Sequence, residues 1–416
     1  MATWLLVEPV LQPDPPPSPS SGSPLTRVLW AAPLQQEGEP RYVGIGRCAS
    51  APCHGNDAFP VWQEEDRHSK AYEVLFNKQS QTMAGLLRLE SPEDSPRCLV
   101  CHSVQASGEE RADSFDVSQG VGCEGCHGPA SQWRVPHSDR SVERQTLRGM
   151  GLYPTKDLYQ RARLCVSCHL GDATRQVDHE LIAAGHPELT FELDTFTARM
   201  PPHWERDTSS EGARQWALGQ AQALGQTMRL LARRIENPSW GAFPDFASFE
   251  CASCHHPYPS AQRQQRGYQG HPGYPALRPS QRLILSRFLQ ALEPEMHQAL
   301  QSHLEDLTEG LHGSGGSRQR ARQAALELAA WTDSLSRRLQ SIDYSASRLQ
   351  TAISAISGDA EELAAQGFRT AEQARWAVEA LYQSYRAQSG TNAEIERQIE
   401  RLETVLRGRY PTEASE

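Results

Sequence analysis

Cysteine pairs followed directly by histidine are the residues of this chain whose types and spacing indicate the clearest chemistry. All ten cysteines belong to such pairs. In the Cys-x-x-Cys-His pattern, two thiols form thioethers with the haem vinyl groups, and the adjacent histidine ligates the iron from one face. The sequence therefore predicts five covalently attached haems c. The five motifs, in chain order, are Cys48–Cys53–His54, Cys98–Cys101–His102, Cys123–Cys126–His127, Cys165–Cys168–His169 and Cys251–Cys254–His255.

The first motif differs from the other four in its spacing. Four residues, including Pro52, separate Cys48 from Cys53, whereas two residues separate the cysteines of the other motifs. The order Cys53–His54 is retained, and we therefore expect haem attachment here as well.

Zinc binding and disulfide formation are the alternative interpretations of paired cysteines. Zinc sites are assembled from cysteine and histidine ligands, and disulfides suit an oxidising compartment. Neither alternative explains why a histidine follows every pair, so the pattern favours haem.

Further histidines in the same region are candidates for the second axial ligand, because each iron needs a second partner or keeps an open face. An ordinary core or surface histidine is the alternative for each of them. His256 directly follows His255 and cannot reach the same iron, but it could serve a neighbouring haem or bind a propionate. His271, in a loop rich in glycine and proline, is a weaker candidate. The six main candidates are His68, His137, His179, His186, His203 and His256.

The composition excludes some classes of function. The chain has 416 residues and a formal net charge of −10, and arginine supplies nearly all of its positive charge. No basic footprint for nucleic acid is present. Hydrophobic residues are 38% and aromatic residues 7% of the chain, so we expect the haems to supply much of the apolar core of the region that binds them.

Haem c is attached outside the cytoplasm in bacteria, so the motifs predict a periplasmic or otherwise extracytoplasmic protein. Residues 1–40 contain no evident signal peptide, and residues 9–24 are rich in proline and serine, which is typical of a linker. No apolar segment approaches the roughly 20 residues of a transmembrane helix.

Helical periodicity and capping residues predict a mainly α fold with few strands. We expect a Pro/Ser-rich linker in residues 1–40, a pentahaem cytochrome c domain in 41–275 and a C-terminal helical bundle in 276–416. One predicted helix begins after Pro60 and has His68 near its middle. The other predicted helices are approximately 155–169, 209–236, 280–311, 318–356, 360–388 and 392–408.

The motifs and the residues between them resemble those of multihaem cytochromes c related to the tetrahaem electron acceptor of hydroxylamine oxidoreductase, and in particular a pentahaem branch. The resemblance covers roughly residues 41–275. It implies closely stacked haems, mostly with two histidine ligands, that conduct electrons. The segments that carry it are Tyr42-Val-Gly with Trp62 and His68, Gly120-Val-Gly-Cys-Glu-Gly-Cys-His-Gly-Pro129, Asp178-His179 through Gly185-His186-Pro187, Pro202-His203-Trp204, and Cys254-His255-His256.

Two functions follow from these observations, and the sequence leaves both open. The first is an electron carrier that exchanges electrons with redox partner proteins, such as a quinol dehydrogenase or other cytochromes. The second is an oxidoreductase that acts on hydroxylamine, nitric oxide or nitrite at one five-coordinate haem, with His256 or His179 as a proton donor. The Cys-x-x-Cys-Lys motif of pentahaem nitrite reductases is absent from the sequence. A haem module of a larger respiratory complex and a homo-oligomer are further possibilities.

Overall fold

Helices dominate the computed structural model, which confirms the predicted mainly α fold. The structure describes residues 38–50, 52–204, 211–236, 245–251, 254–255, 277–278, 280–312 and 317–409. Within these ranges, β pairing consists of two isolated bridges, Tyr42 with Arg111 and Phe249 with Leu277. No described helix has both the length and the apolar character needed to cross a membrane.

The motif-bearing region up to residue 204 consists of short helices joined by turns. Asp or Asn side chains cap several of them by accepting a hydrogen bond from a backbone N–H of the first turn, as Asp157 does for Gln160. The helices are α1 Ala58–Glu65, α2 Lys78–Leu86, α3 Pro96–His102, α4 Cys123–His127, α5 Arg144–Gly149, α6 Leu158–His169, α7 His179–Ala183 and α8 Leu193–Arg199.

Long amphipathic helices, together with the short helix α14, form most of the rest of the described structure. The first of them precedes the fifth motif in the chain, and the others follow it. They are α9 Glu211–Glu236, α10 Ser280–Leu292, α11 Pro294–His312, α12 Arg318–Leu339, α13 Ala346–Gly358, α14 Ala360–Ala365, α15 Phe368–Ser389 and α16 Ala393–Arg409.

A single large apolar core joins α9 to the C-terminal helices. Trp216 of α9 is fully buried and meets Phe288 of α10 edge to face, with ring centroids 5.0 Å apart. Gly225 allows α9 and α12 to approach closely, because a Cβ at this position would lie 2.2 Å from Thr332 Oγ1. Helix α9 belongs to this core although it precedes residue 275. The predicted domain boundary between residues 275 and 276 therefore stays a prediction.

The protein supplies much less apolar core of its own to the motif-bearing region. Two small clusters are found there, one around Val166 and Phe191, which also includes Leu218 of α9, and the other around Val43 and Trp133. This distribution is what we expect of a region whose interior is completed by haem.

Three of the predicted C-terminal helices are interrupted, and the sequence prediction was wrong at these points. Pro294, which has no backbone N–H, begins α11 and separates it from α10. Residues 340–345 separate α12 from α13, and there Asp343 accepts hydrogen bonds from the backbone and side chain of Ser345. Gly367, with φ of 120°, separates α14 from α15.

The expected helix around His68 is also shorter than predicted. Helix α1 ends at Glu65, and His68 lies in a separate 3₁₀ turn, Arg67–Lys70. Asp66 causes this change of direction, because its extended backbone ends α1 while its side chain accepts a hydrogen bond from His68 N at 2.9 Å.

Candidate haem sites

The histidines of the second, third and fourth motifs each occupy the last position of a helix. His102 ends α3, His127 ends α4 and His169 ends α6. One helical turn therefore holds the two cysteines and the histidine of each motif together. The first motif follows the 3₁₀ turn Ile45–Arg47 instead. Cys251, Cys254 and His255 of the fifth motif are described, and the two residues between the cysteines lie outside the described ranges.

Four of the five motif histidines have a second histidine at nearly the same ring separation. The partners come from distant parts of the chain, and all of them belong to the group predicted as second axial ligands. The centroid distances are 6.1 Å for His54 with His137, 6.2 Å for His127 with His203, 6.0 Å for His169 with His68 and 6.3 Å for His255 with His179.

This separation matches two imidazoles on opposite sides of one metal ion. A nitrogen–metal bond is about 2 Å long, so the centroids of two such rings lie about 6 Å apart. The rings of His54 and His137 are inclined by 27°, and those of His179 and His255 by 28°. The other two pairs are close to perpendicular, at 77° for His127 with His203 and 86° for His68 with His169.

His102 and His186 form the fifth combination. Burial lowers the pKa of His186, and the nearby His102 lowers it further. The Nδ1 atom of His102 lies 2.7 Å from the carbonyl oxygen of Ala71, and the Nδ1 atom of His186 lies 2.8 Å from that of Pro187. Each of the five motif histidines thus has one candidate partner.

The hydrogen bonds at Nδ1 fit the role of metal ligand. Carbonyl and carboxylate oxygens accept hydrogen bonds, so a ring that meets one at Nδ1 carries its proton there and leaves Nε2 for the metal. His102 and His186 meet backbone carbonyls, as described above. His68 meets the Asp66 carboxylate at 2.8 Å, and His54 meets that of Asp57 at 3.1 Å.

Burial keeps two motif histidines in the neutral form that ligates iron. It lowers the pKa of His127 to about 4, with a smaller contribution from His203 and from the pair of the first motif. It also lowers the pKa of His169 to about 4, with His68 contributing in the same direction. These rings, and the free thiols of all ten cysteines, form a donor set that fits haem c.

Thiols of different motifs also lie next to one another. Cys48 of the first motif shares a hydrogen bond with Cys123 of the third, which raises the pKa of Cys48 and lowers that of Cys123. Cys101 of the second motif shares one with Cys168 of the fourth, which lowers the pKa of Cys168. The first site therefore adjoins the third, and the second adjoins the fourth.

Two carboxylates support these sites and were missed from the sequence. Glu124, between the cysteines of the third motif, is buried and accepts hydrogen bonds from the backbone N–H groups of Val43, Gly44 and Ala130 at 2.7–3.0 Å. Asp66 is the second. Its position two residues before His68 was a usable signal, because an Asp side chain readily bonds the backbone two residues later.

Two of the candidate axial ligands are not among the residues that the structure describes. His256 and His271 both lie outside the described residues, so their roles stay predictions.

The chain is similar to known c-type cytochromes over part of its length. The family described as Cytochrome c554 and c-prime matches residues 47–128, which include the first three motifs. Cytochrome c-554 of Nitrosomonas europaea is 28% identical over 144 residues, a match that covers 31% of this chain and 57% of that relative. No solved structure matches the chain significantly. These similarities support a relation to multihaem c-type cytochromes, and the match spans less than two thirds of the length of that relative.

Proposed function

We propose that this protein is a pentahaem c-type cytochrome that conducts electrons through five irons, each held by two histidines. The observation that carries this proposal is the ring separation of 6.0–6.3 Å between four motif histidines and a second histidine. For the remaining motif histidine, His102, the pKa of His186 indicates that His186 lies nearby. Haem c, when bound, supplies a metal centre that takes up and releases one electron. The proposed pairs are His54–His137, His102–His186, His127–His203, His169–His68 and His255–His179.

The positions of the thiols support a continuous series of sites. Cys48 meets Cys123, and Cys101 meets Cys168, so the thiols that would hold different haems lie next to each other. Cys126 of the third motif also lies close enough to Cys165 and Cys168 of the fourth to raise its pKa, after the larger effect of burial. The first four sites are therefore contiguous, in the order first, third, fourth and second.

The fifth site is linked to the second by an ion-pair bridge. Arg97, in the helix of the second motif, contacts Asp178 at 2.8 Å and Glu180 at 2.9 Å. These two acidic residues flank His179, the proposed partner of His255. The bridge sets the fifth histidine pair beside the helix that bears His102.

Two-histidine ligation favours an electron carrier over an enzyme, because both faces of each iron are used. The proposed pairs consume five of the candidate histidines and leave His256 for another role. An oxidoreductase that acts on a nitrogen compound would need one iron with an open face, and no described pair favours that alternative. We further propose that the protein is extracytoplasmic, because haem c is attached outside the cytoplasm in bacteria, and that it exchanges electrons with redox partner proteins.

Electron paramagnetic resonance of the oxidised protein tests this proposal. Nearly parallel imidazole planes give a rhombic low-spin signal, whereas nearly perpendicular planes give a strongly anisotropic one. We expect two haems of the first kind, from the pairs inclined by 27° and 28°, and two of the second, from those at 77° and 86°. The intact mass should equal that of the chain with five haems.

Removal of one partner histidine provides the matched test. His68→Ala should convert one low-spin haem to high spin, and His303→Ala, in the distant helix α11, should convert none. A high-spin haem in the unsubstituted protein, or an unchanged spectrum in His68→Ala, contradicts the proposed ligation.

A further inference from the structure

His68 is held by a carboxylate that is itself buried. Asp66 is 6% exposed, and its Oδ1 accepts hydrogen bonds from His68 N at 2.9 Å and from His68 Nδ1 at 2.8 Å. In the described part of the chain, Asp66 forms its ion pair with His68. Its negative charge therefore lies within the protein and acts directly on this imidazole.

The other histidines with an Nδ1 hydrogen bond have weaker electrostatic partners. His102 and His186 bond to the neutral carbonyls of Ala71 and Pro187. His54 bonds to the carboxylate of Asp57, but the Asp57 side chain is 67% exposed, and water screens an exposed charge strongly. Among the described residues, the structure thus presents one buried carboxylate–histidine pair and one exposed pair that resembles it chemically.

The surroundings of the site increase the effect of the Asp66 charge. His169, which faces His68, packs against the rings of Phe191 and Phe196, each with its centroid 5.2 Å away. Phe191 is 1% exposed. A low local dielectric strengthens the interaction between a charge and a neighbouring ligand.

We propose that Asp66 is a positioning residue that lowers the reduction potential of the site formed by His68 and His169. A carboxylate bonded to Nδ1 gives the imidazole partial imidazolate character, which makes it a stronger donor and stabilises the more positive, oxidised iron. The same bond fixes the orientation of the ring. This inference rests on the proposed function, in which His68 and His169 ligate one iron.

The charge of Asp66 also acts on residues of the third site. Its charge acts on His203, the proposed partner of His127, and on Cys126 of the third motif. The carboxylate therefore lies between the third and fourth sites. It should lower the potential of the third site less than that of the fourth, because it makes no hydrogen bond to His203 in the described structure.

The test compares Asp66→Asn with Asp57→Asn in the full holoprotein. Asparagine keeps an oxygen that accepts from His68 N and Nδ1 but removes the charge. In a redox titration followed optically and by paramagnetic resonance, Asp66→Asn should shift the midpoint potential of one of the two near-perpendicular sites, that of His68 and His169, to a more positive value, and that of the other, His127 and His203, by less. Asp57→Asn should produce a clearly smaller shift. Equal shifts in the two variants, or none in Asp66→Asn, overturn the proposal.

Further measurements separate this claim from the proposed function. If His68→Ala gives one high-spin haem while Asp66→Asn leaves the potentials unchanged, the ligation stands and the role of Asp66 fails. If His68→Ala changes no spin state, the ligation itself fails. Asp66→Glu retains the charge and should keep the potential near that of the unsubstituted protein. A shift in Asp66→Glu as large as in Asp66→Asn, or loss of a haem from Asp66→Asn, assigns Asp66 a structural role and overturns the proposal.

Discussion

Glu124 ties the beginning of the described chain to the third motif, although the two are far apart in sequence. Its Oε1 accepts from Val43 N at 2.9 Å and from Ala130 N at 2.8 Å, and its Oε2 accepts from Gly44 N at 2.7 Å. Burial raises the pKa of Glu124, while these three N–H donors lower it. Glu124 thereby holds in place the backbone segment that leads to Cys48.

Replacement of Glu124 by glutamine should therefore destabilise the first site. The amide group would point donors at backbone N–H groups and leave a buried donor unsatisfied, which costs about 1–3 kcal/mol. We expect a lower denaturation midpoint and a larger fraction of protein that lacks one haem, measured by intact mass. Glu65→Gln, at an exposed position, is the control. Equal midpoints and equal haem content in the two variants would show that Glu124 has no such role.

The cysteines and motif histidines could be predicted from sequence because their chemistry is local, and one helical turn holds each set in the second, third and fourth motifs. The partner histidines could be named as a group but not assigned. His68 meets His169, and His54 meets His137, and these combinations depend on how distant turns pack. Gly120 shows the same limit. Its φ is 67°, and a Cβ there would lie 3.1 Å from the His68 carbonyl oxygen, a neighbour that the sequence does not reveal.

At the scale of helices, α8 begins with a buried acidic cap. Glu192 is 1% exposed and accepts hydrogen bonds from Asp194 N at 2.8 Å and from Thr195 N at 2.6 Å. Burial, with a smaller contribution from Asp194, raises the pKa of Glu192 to about 7. The folded protein therefore holds this proton more tightly than the unfolded chain does.

A raised carboxyl pKa makes stability fall as pH rises. The stabilisation is fully present below the ordinary value of 4.5 and is lost as pH rises towards about 7. The shift corresponds to about 3 kcal/mol. Between pH 4 and 8, the free energy of unfolding should thus fall more for the unsubstituted protein than for Glu192→Gln, as measured by chemical denaturation at several pH values. Glu361→Gln, at an exposed position, should retain the full dependence. An identical pH dependence in Glu192→Gln would contradict the assignment.

Helix boundaries could be predicted where a capping residue, glycine or proline determines them. They were missed where tertiary packing determines them. Periodicity and capping residues located α9 and α16 within a few residues, and they located the beginning of α12 but not its end. The break at residues 340–345 was missed because neither glycine nor proline marks it, and a hydrogen bond from Tyr344 Oη to the Leu339 carbonyl helps to close it. Pro294 was a visible signal, yet the apolar pattern continues across it.

At the scale of the whole molecule, the C-terminal helices brace the fourth motif. Tyr159 of α6 donates a hydrogen bond to Asp333 of α12 at 3.0 Å, and Arg229 of α9 contacts the same carboxylate at 2.6 Å. Gln373 of α15 donates to the carbonyl of Phe191 at 3.2 Å. Because Phe191 packs against His169, these contacts connect the bundle to the site that Asp66 is proposed to tune.

The two parts of the molecule should respond differently when haem attachment is prevented. The C-terminal helices share one continuous core made of protein side chains, whereas the motif-bearing region has two small clusters. Chain produced in a host without haem maturation should therefore keep slow amide hydrogen exchange in α10–α16 and lose it in residues 38–204. The mature protein is the control, with protection in both regions. Equal protection of both regions in the haem-free chain would show that side chains alone are sufficient to fold the motif-bearing region, and that its packing does not depend on the macrocycles.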